Sequence, residues 1–283
     1  MKFFNLFKEK IIEPTIHENE RGLTLLEGAH ILINCDKVKL DGSAVVLESH
    51  DCNYDSVRGK AKIQILNGGK IGEVCGKVKI GIIKDTYITS IKGKVEITTI
   101  NSCFINYVKD RVLIRAFNNG TIQFLDGHSK IETMNNGHIV FVRNNSKIGT
   151  INNGSIEGVM DCSTISTIQS GKINYLLNKT YVGTINSCQI DKVCDEVEIG
   201  TLADGQINQI VGNSIVCQQM GGKILSQQEG TIIVYSYKKD NKPKIKRRSP
   251  VVKQKKEIAN EEEFKKEVVL MEQTSLLDLE DNK

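Results

Sequence analysis

The 283-residue chain has no tryptophan, only 3 prolines and 5% aromatic residues, although 39% of it is hydrophobic. A core that lacks large aromatic side chains must be thin, so branched aliphatic side chains must fill it in layers. Isoleucine and valine dominate the apolar residues, and both favour β-strands. The composition therefore predicts an all-β protein with a sizeable but narrow aliphatic core.

Other features that the sequence lacks limit the cellular compartments in which the protein is expected. No apolar run is long enough to span a membrane as a helix. The first residues, MKFFNLFKEKII, are interrupted by Lys8, Glu9 and Lys10, so no signal-peptide core forms. The 8 cysteines include no Cys-x-x-Cys pair, and the chain is too long for a small disulfide scaffold. We therefore expect a cytoplasmic protein with reduced thiols.

A period of 17 residues runs through the sequence. Asn-Asn-Gly occurs at 135–137 and again at 152–154, and steps of 17 from Ile71 meet isoleucine at every position as far as Ile224. A second column, from Ile63 to Val216, contains only isoleucine and valine. Repetition this strict indicates a repeat architecture, and 17 residues are too few for a pair of helices.

Each repeat reads as two short strands and two turns. One turn column, which begins at Gly69, holds mostly glycine, and asparagine often stands two residues before it. Asparagine and glycine both tolerate positive φ, and stacked asparagines form hydrogen-bonded ladders. A further column, from Val78 to Thr231, holds only Val, Ser or Thr. Because no repeat can bury its own apolar edge, the columns must stack along one axis.

We therefore predict a parallel β-solenoid, or β-helix, of about twelve 17-residue coils over residues 29–237. The repeats are clear over 63–232 and looser over 46–62, and 29–45 adds a coil with a slipped register. At ~4.8 Å a coil, the rod is about 55 Å long. The spacing leaves both a flattened two-sided and a three-sided coil open.

Residues 1–28 are predicted to form an N-terminal cap or amphipathic segment with a short helix. Its apolar face includes Phe3, Phe4 and Phe7, and Lys8 lies beside that face. Two roles stay open. The helix covers the first coil, because an uncapped solenoid end is adhesive, or these four residues contact a membrane surface.

The C-terminal tail is predicted to be largely disordered and begins with a basic linker at 238–256. That linker holds ten of the 38 basic residues and one of the 34 acidic ones, so the rest of the chain is net negative. Its basic residues include Lys244, Lys246, Arg247 and Arg248. Such a run is typical of a solvated linker or a contact with anionic lipid. Nucleic-acid binding is not expected, because no aromatics are interleaved for base stacking.

Residues 257–283 are predicted to form a short helix and then an acidic, leucine-containing tail. Phe264, Val268 and Met271 fall on one face of a helix over 257–271. The end of the chain, TSLLDLEDNK, resembles short clathrin-box or sliding-clamp peptides. A partner motif of Leu276, Leu277 and Leu279 is the functional interpretation, and a disordered acidic tail is the structural one.

The sequence offers no catalytic constellation, metal site or cofactor site. The cysteines recur in turn columns, which favours small packed thiols over metal ligands. No phosphate loop, nucleophile elbow or paired-carboxylate column occurs, so we expect no enzyme. A threonine column, Thr99, Thr133, Thr150, Thr167, Thr184 and Thr201, resembles part of the flat threonine arrays of ice-binding proteins. Stacked β-branched residues that stabilise strands explain it as well.

The last coil leaves apolar strand surface near its end, at Ile232, Ile233, Val234 and Tyr235. This favours end-to-end stacking of protomers, a heterologous contact that need not close. Together with stretches such as GKVKIGIIKDT, a cytoplasmic Ile/Val/Gly solenoid with short tails resembles the bactofilins. The resemblance implies a cytoskeletal filament on the inner membrane face.

The expected function is therefore a non-enzymatic, self-assembling scaffold, with other copies of the chain as its main partner and a peripheral membrane contact. Two alternatives stay open. One is a monomeric or dimeric adaptor that presents its C-terminal peptide to a protein partner. The other is a solenoid that binds ice or carbohydrate through its threonine column.

Overall fold

The computed structural model describes residues 13–228 and 230–235, and Tyr235 is described only in its backbone. These residues form 23 β-strands that pair in parallel, with no helix among them. The chain winds through about thirteen turns of a parallel β-solenoid. Each turn contributes to two columns of strands, which we call the first and the second strand column.

The first strand column contains ten short strands. They are β1 (Thr15–Glu18), β3 (Ala29–Ile33), β5 (Val45–His50), β7 (Lys62–Asn67), β9 (Lys79–Lys84), β15 (Thr164–Ile168), β17 (Tyr181–Ile185), β19 (Glu198–Leu202), β21 (Ile215–Gln219) and β23 (Ile232–Tyr235). Each pairs in parallel with the strand one turn away.

The second strand column contains nine short strands. They are β2 (Thr24–Leu25), β4 (Val38–Leu40), β6 (Asn53–Val57), β8 (Lys70–Gly76), β10 (Tyr87–Gly93), β16 (Lys172–Leu176), β18 (Gln189–Val193), β20 (Gln206–Ile210) and β22 (Lys223–Gln227). In the middle of the solenoid, four long strands run through both columns: β11 (Glu96–Asp110), β12 (Leu113–Leu125), β13 (Lys130–Val142) and β14 (Lys147–Val159).

The predicted isoleucine columns form the core. Ile122, Ile139 and Ile156 face one another across neighbouring turns and are at most 1% exposed. The column from Ile63 to Val216 is buried in the same way. Truncating one such isoleucine to alanine typically costs about 2–5 kcal/mol, so stacked aliphatic rungs hold the solenoid together.

Each turn of the solenoid has two tight corners, which explain why Asn, Asp and Gly recur in the sequence. The first corner follows the first strand column, and it holds Asn119 and Asn136 at φ of 57° and 55°. The second corner follows the second strand column, where Asp110 and Gly127 have φ of 75° and 71°. Asn, Asp and Gly are the residues that adopt this left-handed conformation at low cost. The recurrence of these residue types therefore sets where the chain bends.

The first turns are shorter than 17 residues. Thr15 pairs with His30 and Thr24 with Lys39, a spacing of 15, and Ala29 pairs with Val45 at a spacing of 16. The slipped register expected at 29–45 is confirmed. The solenoid also extends further towards the N-terminus than predicted, because a search at a period of 17 misses turns of 15.

The predicted N-terminal cap helix is not seen in the described residues. Residues 13–28 instead contribute β1 and β2, which pair with β3 and β4. The alternation of Thr15, Ile16 and His17 suits a strand, and the neighbouring rung offers it backbone partners. The first part of that helix, residues 1–12, lies outside the described residues.

Candidate functional site

The two ends of the solenoid are the first candidate surface. At the C-terminal end, β22 pairs with β20 and β23 with β21; at the N-terminal end, β1 pairs with β3 and β2 with β4. Within the described ranges, no strand continues either column past these four. An edge strand directs alternate backbone N–H and C=O groups away from its sheet. In the part of the chain that the structure describes, both columns therefore end in parallel edge strands.

The residues predicted for the end-to-end interface lie on this last rung. Ile232 is 45% exposed, whereas Ile233 is 4% exposed and joins the core. Val234 is half-buried, and the side chain of Tyr235 lies outside the description. The apolar core therefore reaches the last strand, and Ile232 presents apolar surface beside it.

The other predicted surfaces fall on residues that the structure does not describe. These are the membrane-contact residues Phe3, Phe4, Phe7 and Lys8, the basic residues Lys244, Lys246, Arg247 and Arg248, and the leucine motif of Leu276, Leu277 and Leu279. None of the described segments is a helix long and apolar enough to cross a membrane.

Side chains at the first corner form the predicted asparagine ladder. Asn118 donates to Asn101 Oδ1 at 3.0 Å, Asn135 donates to Asn118 Oδ1 at 2.7 Å, and Asn152 continues the series. Parallel to it, Asn153 donates to Asn136 Oδ1 at 2.8 Å. Asn118 and Asn135 each both donate and accept along the solenoid axis, so the ladder fixes the register of neighbouring turns.

The threonine column stacks in register over five consecutive turns of the first strand column, namely Thr133, Thr150, Thr167, Thr184 and Thr201. Thr99 is separated from this series by Ala116. The position before each threonine is small in most of these turns. A Cβ added to Gly200 would lie 2.5 Å from the carbonyl oxygen of Gly183. The neighbouring turns therefore approach closely beside the threonine strip.

A column of hydroxyls lies inside the solenoid. Ser129, Ser146, Ser163 and Thr180 are fully buried, at positions where earlier turns carry valine. Ser146 Oγ donates to the Leu125 carbonyl at 3.2 Å. Among the described residues, the hydroxyls of Ser129 and Ser163 have no hydrogen-bond partner. A buried hydroxyl without a hydrogen-bond partner lowers stability, so the members of this column do not all stabilise the fold.

The described cysteines are all free, and four of them are buried at the first corner: Cys35, Cys52, Cys103 and Cys188. Burial raises the pKa of the Cys103 thiol to about 11 and that of Cys188 to about 12. These groups stay protonated at neutral pH and are poor nucleophiles. In residues 13–228 and 230–235, no three His, Cys, Asp or Glu side chains group closely enough to hold a metal ion.

The outer surface of the second strand column changes character along the solenoid. In an early turn, Glu73 contacts Arg58 Nη2 at 3.0 Å and also pairs with Lys92. The Lys92 ammonium lowers the pKa of the Glu73 carboxyl, and Arg58 acts in the same direction. Glu73 lies in one outward row of the second strand column, and Arg58 and Lys92 share the other outward row.

In later turns, some of these outward positions are apolar, whereas Asp126 and Arg143 stay charged and form an ion pair. The strand register aligns Glu73 with Tyr107, Phe124 and Phe141 in successive later turns. The Phe124 ring stacks on the rings of both Tyr107 and Phe141. We call six side chains of these two rows the outer apolar cluster: Phe124, Phe141, Met160, Leu177, Cys194 and Val211. All six are at most 6% exposed, although none belongs to the main core. Sequence analysis missed this cluster because it sought periodicity only in the inward columns.

The second corner also carries a shallow polar groove of about 530 Å³, which sequence analysis did not identify. Its lining includes the consecutive pairs Asn144–Asn145, Asp161–Cys162 and Asn178–Lys179, all with positive φ. Asn178 donates to Asp161 Oδ1 at 3.2 Å. The signal that identifies it is a pair of turn-forming residues repeated at a spacing of 17.

Comparison of the chain with family models, with curated proteins and with solved structures found no match in any of the three. The resemblance to the bactofilins therefore rests on the solenoid architecture alone.

Proposed function

We propose that the protein is a non-enzymatic structural scaffold that assembles end to end into filaments. The observation that supports this most strongly is that, among residues 13–228 and 230–235, both strand columns end in parallel edge strands. The apolar core also reaches the last strand, where Ile233 is 4% exposed. A second protomer that places its β1 and β2 on β23 and β22 continues both columns.

Such a contact is heterologous, because it joins the C-terminal end of one protomer to the N-terminal end of the next. Heterologous contacts that do not close into a ring generate open filaments. The proposed contact repeats the parallel pairing of neighbouring turns within the chain, so each added protomer extends both strand columns. About thirteen turns at ~4.8 Å give an axial repeat of about 60 Å for such a filament.

The bactofilin resemblance extends the proposal to a cytoplasmic filament on the inner face of the membrane. In that arrangement, Phe3, Phe4, Phe7 and Lys8 contact the lipid surface, with the phenylalanines in the acyl region and Lys8 near anionic headgroups. The basic residues of the linker strengthen the same attraction.

Negative-stain electron microscopy of the purified full chain, with and without anionic liposomes, tests both parts. Filaments of uniform width support end-to-end assembly, and filaments that follow the liposome surface support membrane contact. Discrete rods at every protein concentration would contradict assembly. They would favour the adaptor role, which a pull-down with residues 257–283 then tests directly.

The in-register threonine strip favours a second candidate, recognition of a flat ice or carbohydrate surface. A lysine at Thr150 or Thr167 disrupts the strip without reaching the core. Loss of ice-growth inhibition or of sugar binding in these two variants, with unchanged thermal stability, would support this candidate. An unmodified chain that has neither activity would exclude it.

A further inference from the structure

Two histidines of the first turns stand in inward rows of the solenoid, where later turns carry aliphatic side chains. His30 in β3 pairs in register with Val46, and the same row holds Ile63 one turn later. His17 in β1 pairs in register with Leu32, which is fully buried. His30 is itself only 8% exposed. A polar ring is costly to bury unless its nitrogens have partners, so a departure from the aliphatic pattern at both positions points to a specific role.

The two imidazole rings meet through their inner nitrogens. His17 Nε2 lies 3.2 Å from His30 Nδ1, and the ring centres are 5.3 Å apart with their planes tilted by 43°. The outer nitrogens both contact oxygen atoms. His17 Nδ1 lies 3.0 Å from Glu20 Oε1, and His30 Nε2 lies 2.8 Å from the Glu27 carbonyl oxygen. The two rings therefore lie in one continuous series of close polar contacts.

These oxygen partners determine which nitrogens carry the protons. A carboxylate and a carbonyl oxygen only accept hydrogen bonds, so the outer nitrogen of each ring carries the N–H. In a neutral imidazole, the other nitrogen then carries a lone pair. The inner nitrogens of His17 and His30 therefore direct two lone pairs at each other across 3.2 Å. A cation between them removes this repulsion, and the two candidates are a shared proton and a metal ion.

The geometry of the pair matches that of a metal chelate. Zinc binds imidazole nitrogens at about 2.0–2.1 Å with tetrahedral angles, which separates two such nitrogens by about 3.3–3.4 Å. The observed separation of 3.2 Å is close to this value. Metal-binding histidines also donate their other N–H to a carboxylate or a backbone carbonyl, which fixes the orientation of the ring. His17 has a partner of the first kind and His30 has one of the second kind.

We propose that His17 Nε2 and His30 Nδ1 chelate a divalent transition-metal ion, of which Zn²⁺, Ni²⁺ and Cu²⁺ suit imidazole ligands. Water fills the remaining coordination positions, because no third metal-binding side chain joins the pair among the described residues. The His17 side chain keeps 14% of its surface exposed, which gives the ion and this water access. Both ligands belong to one chain, so the site goes beyond the scaffold role and does not depend on filament formation.

Calorimetric titration of the full chain with ZnCl₂ at neutral pH tests the site. We expect the unmodified chain to bind Zn²⁺ with a stoichiometry of one ion per chain. The double variant His17→Leu, His30→Val carries the residue types of the neighbouring turns, so it should fold and lose this binding. Both proteins keep all 8 cysteines, so zinc bound by thiols is common to both. His50→Gln removes a more exposed histidine and is the control that should bind as the unmodified chain does.

Glu20 provides a second test that leaves both histidines in place. Glu20→Gln weakens the contact that orients the His17 ring, so we expect it to lower the Zn²⁺ affinity by about tenfold or more. Glu18→Gln is the matched control, because it removes the same charge from an exposed position of β1 beside His17. Successive side chains of a strand point to opposite faces, so this control should leave the affinity unchanged. Thermal unfolding without Zn²⁺ shows whether any variant alters the fold.

Three results would overturn the proposal. The first is that the unmodified chain binds no Zn²⁺, or no more than the double variant does, because the pair then holds only a proton. The second is an equal Zn²⁺ affinity for Glu20→Gln and Glu18→Gln, because the bound ion then does not involve the oriented His17 ring. The third is an affinity that rises with protein concentration, because a second copy of the chain then supplies a ligand.

Discussion

Asn135 donates its side-chain amide to Asn118 Oδ1 at 2.7 Å, although the two residues lie 17 positions apart in the sequence. The same relationship recurs from Asn118 to Asn101 and from Asn152 to Asn135. One full turn of the solenoid thus returns the chain to an equivalent position. The spacing visible in the sequence is the length of that turn.

Replacing Asn135 by alanine removes a donor to one turn and an acceptor for the next. Each hydrogen bond of this kind contributes about 1 kcal/mol, so we expect Asn135→Ala to lower the free energy of unfolding by about 1–2 kcal/mol. Urea denaturation measures this change. Asn213→Ala, at an exposed position outside the ladder, should shift the midpoint little. Equal midpoints for the two variants would show that the ladder does not stabilise the solenoid.

The buried hydroxyl column predicts that two substitutions will change the stability of the fold in opposite directions. Ser163→Val removes a hydroxyl without a partner and restores the residue type of earlier turns, so we expect stabilisation by about 1 kcal/mol. Ser146→Ala removes a hydroxyl that donates to the Leu125 carbonyl, so we expect destabilisation of similar size. Thermal unfolding of both variants measures the difference. A lower melting temperature for Ser163→Val would mean that the turn has no room for the added methyl groups.

The Glu73 ion pairs predict a pH dependence. Their effect is to lower the pKa of Glu73 from its ordinary value of 4.5. The pairs therefore stabilise the folded chain above pH 4.5, and this contribution is lost as the pH falls through the lower folded-state pKa. We expect the unmodified protein to be more stable than Glu73→Gln by up to about 1 kcal/mol at pH 7, and we expect this difference to shrink as the pH falls to 3.

The control for this prediction is Glu196→Gln, which breaks a more exposed pair with Lys179. Its effect on stability should be smaller at pH 7, because solvent screens exposed pairs. Denaturation midpoints of the three proteins at both pH values provide the comparison. A difference for Glu73→Gln that is as large at pH 3 as at pH 7 would show that the carboxyl acts through packing and not through its charge.

The cysteines should differ strongly in reactivity. At pH 8, we expect iodoacetamide to label exposed Cys162 first and exposed Cys217 more slowly, because burial and Glu198 raise the pKa of the Cys217 thiol. Cys103 and Cys188 should react only after unfolding, because both are buried and remain protonated. Peptide mass spectrometry resolves each site. Rapid labelling of Cys188 in the native chain would contradict the packing of the first corner.

Much of the fold could be predicted because one physical constraint repeats. A turn of fixed length places Ile122, Ile139 and Ile156 in one stack, so each position was predicted by its neighbours. The same constraint predicted the asparagine ladder. Where turn length changes, as between Thr15 and His30, the period no longer identifies the strand. The helical cap predicted for residues 1–28 is therefore wrong where β1 and β2 form the first rungs.

The outer face was less predictable, because its residues follow no single pattern. Glu73 and Phe141 occupy the same outward row, one in an ion pair and the other in a ring stack. Only the register shows that the two positions are equivalent. The proposed function depends on the ends of the solenoid and on such outward positions, so the sequence predicts the fold better than the role.

End-to-end assembly is tested most directly by electron microscopy of two lysine variants. Ile232 and Tyr181 lie at the same outward position of the first strand column, three turns apart, and are 45% and 40% exposed. A charge on an edge strand opposes pairing with another chain. We expect filaments from the unmodified protein and from Tyr181→Lys, and only discrete rods from Ile232→Lys. Discrete rods from the unmodified protein, or equal filaments from both variants, would contradict assembly through this end.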